Sequence, residues 1–351
     1  MFESIKVLEL AGILAGPSVG SFFAELGAEV IKIENPTTGG DLTRGWRSPG
    51  DTGKLSAYYC SVNYKKTVIQ ANLKDPSDWQ QVQEWVAKCD IVIANFKPAD
   101  ELRFQLGYEH CRRLNPNIIY ASLRGFADEP NRPSFDIALQ AECGFLHMNG
   151  YGDQPAKLPV ALIDVIAGHQ LKEALLIALL KKQRTGEGSF IETTLEGAAL
   201  SALMNQGSQW LMNHQNPQAL GMLHPTIAPY GEILTSSDGT KFVLAIGSDK
   251  QFEALCQVLN TPELARDGLF STNADRVIHR QALQHRLSEA SAGLHTADLE
   301  KQLKANGIPY GRIKTVAEAC ESPTARDMIR EETIDGQLTR RLSGLAFKRF
   351  W

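Results

Sequence analysis

Two places in the sequence carry residue types and spacings that do chemistry. The first is the turn Leu10-Ala-Gly-Ile-Leu-Ala-Gly-Pro-Ser-Val-Gly20, which follows an apolar run and leads into helical spacing, with Glu34 closing the next apolar run. A glycine turn between strand and helix offers free backbone N–H groups to a phosphate, and an acid ending the second strand suits a ribose hydroxyl. The spacing departs from the dinucleotide fingerprint. The glycines fall at Gly12, Gly16 and Gly20 rather than in GxGxxG, and Pro17 removes an N–H at the helix start. A nicotinamide or flavin site and glycines placed for close helix–strand packing both remain open on these residues. The second place is Asp164, at the head of a long amphipathic pattern. The dipole and free N–H groups of a helix start keep a carboxylate ionised there, although from position alone an ordinary helix cap is the better explanation. Hydrolase, P-loop and metalloenzyme readings are poor, because GxxxxGK(S/T), HExxH and clustered His/Cys spacings are lacking and the serine of Gly16-Pro-Ser-Val-Gly20 falls inside a helical pattern, not on a strand-to-helix nucleophile elbow. His169 reads as a residue packing or capping on its own helix.

The elements that must position these residues follow from periodicity. Ile5 to Leu10, Val30 to Ile33, Thr67 to Ala71, Ile91 to Ala94 and Ile118 to Ser122 read as buried strands, with helical patterns at Pro17 to Gly27, Ser77 to Lys88 and Tyr108 to Leu114. This alternation implies a mainly parallel sheet covered on both faces. Gly39 to Lys54 reads as a polar, glycine-rich loop. The helix after Asp164 has the stripe Ile166, Leu171, Leu175, Ala178 and Leu179, ends on Lys181, Lys182 and Arg184, and is followed by Gly186 as a left-handed cap. Ser189 to Thr193 is a strand and Leu195 to Met212 a further helix. Beyond about residue 215 the texture changes to Pro and Gly breaks, a hairpin of Tyr230 to Leu234 and Lys241 to Ile246 about Asp238-Gly239, and helices near Lys250 to Leu259, Arg280 to Ala290 and Ala297 to Ala305.

Composition bounds the rest. A chain of 351 residues, 43% hydrophobic and 22% charged, buries a large core and divides into two units. A net charge of -4 gives no overall attraction to nucleic acid or anionic lipid. The cysteines at 60, 89, 111, 143, 256 and 320 form no CxxC pair, which fits a reducing compartment. Met1-Phe-Glu-Ser-Ile-Lys enters a strand with no charged-then-apolar leader, and no apolar run reaches the roughly 18 residues of a membrane span. A cytoplasmic protein is expected.

Ala15-Gly-Pro17, Leu26-Gly-Ala-Glu-Val-Ile-Lys-Ile-Glu34 and Gly40-Asp-Leu-Thr-Arg44 resemble the opening of the class III CoA-transferase family, which includes formyl-CoA and carnitine CoA-transferases and α-methylacyl-CoA racemases. Ordered matches continue through Asn63 with Lys66, Leu73-Lys74, Asp90 to Asn95-Phe96, Leu106-Gly107, Leu114-Asn-Pro116, Phe135-Asp136, Asp164 with Ala167-Gly168, Arg184-Thr-Gly-Glu-Gly188 and Gly307-Ile-Pro309. The resemblance implies an α/β fold. A Rossmann-like large domain over 1–215, completed by 326–351, would accompany a smaller α+β domain over 220–325 in an interlocked homodimer.

It further implies transfer of coenzyme A between carboxylic acids, with Asp164 as nucleophile through an anhydride and an aspartyl-CoA thioester, and no cofactor or metal beyond CoA as substrate. Asp136 would support the site, unless it caps a helix or forms a salt bridge, and the small Gly168 and Ala167 would let a thioester approach. Ile13, Leu14 and Ala15 would pass the pantetheine arm. Ala71, Lys74, Asn95 and Phe96 would line the adenine pocket, and Arg44, Lys97, Arg103 and Arg124 are phosphate candidates. Phe135 stands where the racemases carry a histidine, which favours transferase over racemase. Gln105 and Pro36 replace or neighbour frequent family arginines, and the chain stops at Trp351, short of the family's usual tail. A racemase of the same fold, a silent acyl-CoA-binding protein and a nicotinamide reductase are the rival readings.

Overall fold

The computed structural model describes residues 2–347. Strands β1 (Lys6–Leu10), β2 (Glu29–Glu34), β3 (Thr67–Gln70), β4 (Ile91–Ala94), β5 (Ile119–Arg124) and β6 (Ser189–Thr194) form one sheet in the order β3-β2-β1-β4-β5-β6, every pair parallel. Side chains alternate across it. Val7, Ile91, Ile93, Ile119 and Ala121 enter one core, and Leu8, Leu10, Val92, Ala94 and Tyr120 enter the other. Both faces are therefore apolar, as a parallel sheet flanked by helices requires.

The principal helices of this unit are α1 (Ala15–Glu25), α2 (Pro76–Lys88), α3 (Pro98–Phe104), α4 (Tyr108–Leu114), α5 (Asp136–Glu142), α6 (Leu162–Thr185), α7 (Leu195–Ala202) and α8 (Met204–Asn213), with shorter ones at Ala57–Ser61, Phe145–Met148 and Pro323–Met328. Helix α2 starts where Asp75 accepts from the N–H groups of Ser77 and Asp78, with Pro76 at its first position. Helix α6 stops where Gly186 turns left-handed at φ 74° and donates its N–H to Lys182 O. Its face bearing Ile163, Ala167, Leu171, Leu175 and Ala178 is buried with α1 and the sheet, each large side chain contributing roughly 1.5–3 kcal/mol. Helix α6 comes close to α1 at Gly168. A Cβ there would collide with Ser18 Oγ and sit 3.2 Å from Ala15 O.

The terminal hairpin, β10 (Ile329–Ile334) with β11 (Gln337–Leu342), clasps the beginning of the chain. Glu25 accepts from Arg341 at 2.6 Å and from the Gly344 N–H at 3.0 Å, Glu332 accepts from the Lys65 N–H, and Gln337 accepts from the Leu55 N–H.

The other unit contains the antiparallel strands β7 (Tyr230–Thr235), β8 (Lys241–Ala245) and β9 (Tyr310–Arg312) with helices α9 (Asp249–Val258), α10 (Arg280–Ser291) and α11 (Thr296–Ala305). Leu234, Phe242, Leu244, Phe252, Leu283 and Leu299 form its core. The β7–β8 turn closes with Gly239 at φ 84°.

Among the described residues one unit takes 2–147, 157–217 and 323–347, and the other 148–156 and 218–322. This division differs from the expected one in residues 323–325, which join the first unit, and in residues 148–156, where a short hairpin pairs Gly150 with Pro155 and bonds to Gly221 and Ala219. The expected return through 351 includes residues 348–351, which lie outside the described residues. The helix expected over 195–212 is two, broken where Met204 takes φ 41°. Strand β9 has no sequence signal because it is three residues long and contains Gly311. Gly39 to Lys54 is not wholly irregular, since Leu42–Gly45 makes a 3-10 turn capped by Asp41.

Candidate active site

The turn after β1 is bound on every side by side chains. Ala11 O accepts from Lys32 Nζ at 2.7 Å, Gly12 exchanges two hydrogen bonds with the Asn95 amide at 3.3 and 3.2 Å, and the Ile13 N–H donates to Asp41 at 3.2 Å. Ile13 is held at φ 76°, a left-handed conformation that costs a β-branched residue of order 1–3 kcal/mol. Behind the turn lies a buried charge network. Lys32 Nζ is 2.9 Å from Glu9 and 3.0 Å from Asp41, and Lys66 Nζ is 2.8 Å from Glu9. Burial alone would lower the Lys32 pKa, yet the flanking Glu9 and Asp41 carboxylates outweigh it and raise it. Gly20 has no room for a Cβ, which would collide with Glu9 Oε2. The packing reading of that glycine is the structural one.

Ile13, Leu14 and Ala15 from the turn, Asn95, Phe96 and Lys97 after β4, Arg124 at the end of β5, and the loop bearing Arg132, Ser134 and Phe135 enclose a cavity of about 250 Å³. Asp164, third residue of α6 and 8% exposed, lies in its wall. Its carboxyl oxygens have no hydrogen-bond partner among the described residues. The cap of α6 is supplied instead by Asp136, whose Oδ1 accepts from the Ile163 N–H at 2.7 Å. Of the roles open to Asp136, capping is the one the geometry displays, and it leaves Asp164 free. The expectation that the helix dipole keeps Asp164 ionised is corrected: burial, with the Asp136 charge second, raises its pKa to about 7. At Gly168 the space a side chain would take is filled by Ser18 and Ala15 O of α1.

The sequence reading missed Tyr58 and Trp46. Their rings pack edge to face at 5.1 Å, and Trp46 lies 6.3 Å from Phe135. Burial, followed by the charges of Asp164, Asp136 and Asp41, pushes the Tyr58 phenol up to about 12. It therefore remains a hydrogen-bond donor beside the acids at neutral pH. No local motif marks Tyr58; only the fold brings it to Asp164.

A second cavity of about 170 Å³ is lined by Ala71, Lys74, Asn35, Ile33, Phe104 and again Phe96. The two cavities thus share one aromatic wall. Ala71, Lys74 and Phe96 gather in this second cavity, whereas Asn95 and Lys97 belong to the first. Arg44 and Arg103 stand outside both. Arg44 is held by Glu34 at 2.6 Å, Tyr59 at 2.6 Å and Asp335 at 3.3 Å, while Arg103 is exposed against the Phe104 ring. Arg124 reaches the first cavity already paired with Glu101 and Glu192. Gln105 caps α3 in a left-handed conformation, and Pro36 opens a 3-10 turn capped by Asn35.

The strand order and the crevice at the strands' carboxyl ends define a Rossmann-type α/β protein whose site centres on a buried, unpaired carboxyl group. The chain belongs to CoA-transferase family III, whose model matches residues 2–345. It is 37% identical over 330 residues to a succinate–glutarate CoA-transferase of Agrobacterium fabrum, covering 92% of this chain and 82% of the relative. It is 34% identical over 318 residues to a succinyl-CoA:glutarate CoA-transferase of Mus musculus, covering 90% and 72%. Among solved structures it is similar to a CAIB/BAIF family protein from Brucella suis, with TM-score 0.86 and 35% identity over 99% of this chain and 91% of that one.

Proposed function

We propose that the protein moves coenzyme A from an acyl-CoA to a carboxylic acid through Asp164. The observation that carries this reading is the Asp164 carboxyl, buried, unpaired and facing the first cavity, whose Phe96 wall continues into the second. One Asp164 oxygen attacks the thioester carbonyl and expels CoA thiolate, leaving a mixed anhydride. The thiolate attacks the aspartyl carbonyl, releasing the first acid as its carboxylate and leaving an aspartyl-CoA thioester. The acceptor carboxylate attacks that thioester and expels CoA thiolate, leaving a second mixed anhydride; the thiolate then attacks the acceptor's acyl carbon, giving the new acyl-CoA and regenerating the Asp164 carboxylate. No electrons are exchanged, so the chemistry calls for no redox cofactor.

The acid is best sought among short dicarboxylates, since the relatives named above act on succinate and glutarate and Arg132 and Lys97 border the cavity. Homodimer formation accords with the exposed Leu200, Met204, Trp210, Leu211 and Met212 of α7 and α8. A reducing, cytoplasmic setting accords with the six free cysteines.

Incubation with succinyl-CoA followed by denatured intact-mass measurement should give a covalent adduct that maps to Asp164. Absence of any adduct, with transfer still proceeding, would sink the covalent route. The rate should also report the Asp164 proton. Only the carboxylate attacks, so with its pKa near 7 the kcat/KM for acyl-CoA should rise about tenfold per unit up to that pH and level above it. Initial rates between pH 5 and 8.5 measure this, and a flat profile would contradict it.

A further inference from the structure

The Ile13 turn is strained, yet it forms the wall of the cavity that holds Asp164. Something must keep it from relaxing. The Asp41 carboxylate is placed to do so: Oδ2 lies 3.2 Å from the Ile13 nitrogen and 3.0 Å from Lys32 Nζ, while Oδ1 accepts from the Thr43 N–H at 3.0 Å and its hydroxyl at 2.8 Å. Four donors thus converge on two oxygens. A carboxylate alone among side chains is acceptor-only and can serve all four. Lys32 in turn is anchored by Glu9 and by Ala11 O, the residue that opens the same turn. The ring Ala11–Lys32–Asp41–Ile13 closes on itself, with the Lys32 and Asp41 side chains almost wholly buried.

We propose that Asp41 is a positioning residue for CoA binding: it fixes the left-handed Ile13 turn before the ligand arrives, so that the arm of CoA meets a preset wall and the cost of ordering it is not charged to affinity. This rests on the CoA-transfer reading and adds to it a residue that touches neither thioester nor acid. Asn35, Asn95 and Phe96 shape the cavities but leave the Ile13 N–H alone. That N–H has Asp41 as its acceptor.

The test is a double-mutant cycle in the full chain, with free coenzyme A titrated calorimetrically. Asp41→Asn keeps the size but offers one acceptor oxygen, and turns an NH2 toward the donors. It should weaken CoA binding at least about tenfold while Ile13 is present. Glycine adopts φ 76° freely, so in an Ile13→Gly background the same Asp41→Asn change should cost less than about threefold. Equal losses in the two backgrounds overturn the proposal, as does wild-type affinity in Asp41→Asn. A residue that only stabilised the fold would show no such relief, because Ile13→Gly removes a side chain and adds backbone freedom.

Should Asp41→Asn fail to fold, amide hydrogen exchange on the wild type decides. The Ile13 amide is expected to be slowed at least about a hundredfold against an unstructured peptide, and unprotected exchange overturns the pinning. A wild type that binds no CoA would instead refute the transfer reading, with the exchange measurement still deciding the turn.

Discussion

Asp164→Ala is expected to abolish CoA transfer, with a rate loss of at least about 10⁴-fold, because the step that forms the anhydride has no other carboxylate to perform it. Asp136, the nearest alternative named by geometry, is engaged in capping α6 through the Ile163 N–H. The same substitution should stabilise the protein at pH 8. The sign follows from the raised pKa. An unfolded Asp ionises near 4, whereas in the fold Asp164 holds its proton until about 7, so the wild type loses stability as pH rises between those values and stays lower above. Removing the group removes that loss, by about 1–3 kcal/mol once the cavity's solvent access is allowed for. Urea titrations of wild type and Asp164→Ala at pH 4.5 and pH 8 measure it. A variant less stable at both values, or one that still transfers CoA at near wild-type rate, would show that Asp164 is a structural acid. The gain in stability on losing the nucleophile is the mark of a group held uncomfortably for its reactivity.

The largest stability effect is expected at Lys32→Met. Glu9 and Asp41 sit on either side of the Lys32 ammonium, all three side chains almost fully buried. Methionine fills the volume but leaves Asp41 without its cation and Glu9 with only Lys66. Breaking a buried pair from one side costs about 3–5 kcal/mol, since the abandoned carboxylates must be protonated or rehydrated. The cost should shrink toward acid pH, where protonating Asp41 removes the charge that Lys32 had balanced. Equilibrium urea denaturation at pH 7 reads the effect, and a loss below about 1 kcal/mol would mean that water reaches these carboxylates in the variant. Asp41 feels the change most, because burial works against its charge and Lys32, with Thr43, is what holds its pKa below the usual carboxylate range.

Much of the large unit is legible in the sequence because its strands are short apolar runs of uniform type. The β4 run Ile-Val-Ile-Ala and the β5 run have no competing helical period, and α4 falls on the residues its spacing marks. The charged residues inside two of those runs are where reading by pattern stops. Glu9 in Val-Leu-Glu-Leu and Lys32 in Val-Ile-Lys-Ile look like single interruptions of buried strands, yet in the parallel register they stand opposite one another. Two opposite charges at matching depths in neighbouring strands are a signal that pairing the strands in register would have exposed. The site divides in the same way. Asp164, Ile13 to Ala15 and Phe96 sit on motifs and are found at the cavity, whereas Tyr58 arrives from a stretch without one. Arg44 has a motif, yet Glu34, Tyr59 and Asp335 hold its guanidinium outside both cavities. Which cation a carboxylate of the same protein claims first is a tertiary fact, invisible to spacing.

The hairpin of β10 and β11 has a consequence for how the molecule is made. Glu25, Leu55 and Lys65 receive partners from residues 332–344, after the chain has passed through the entire second unit. On a ribosome, β1 through β6 emerge long before these partners exist, so the Glu25 carboxylate and the N–H groups of Leu55 and Lys65 wait unpaired with them. Closure of that long loop costs chain entropy that grows only slowly with length, and an already folded second unit shortens the loop that must be closed. The contacts of the hairpin with Glu25, Leu55 and Lys65 therefore form among the last events of folding.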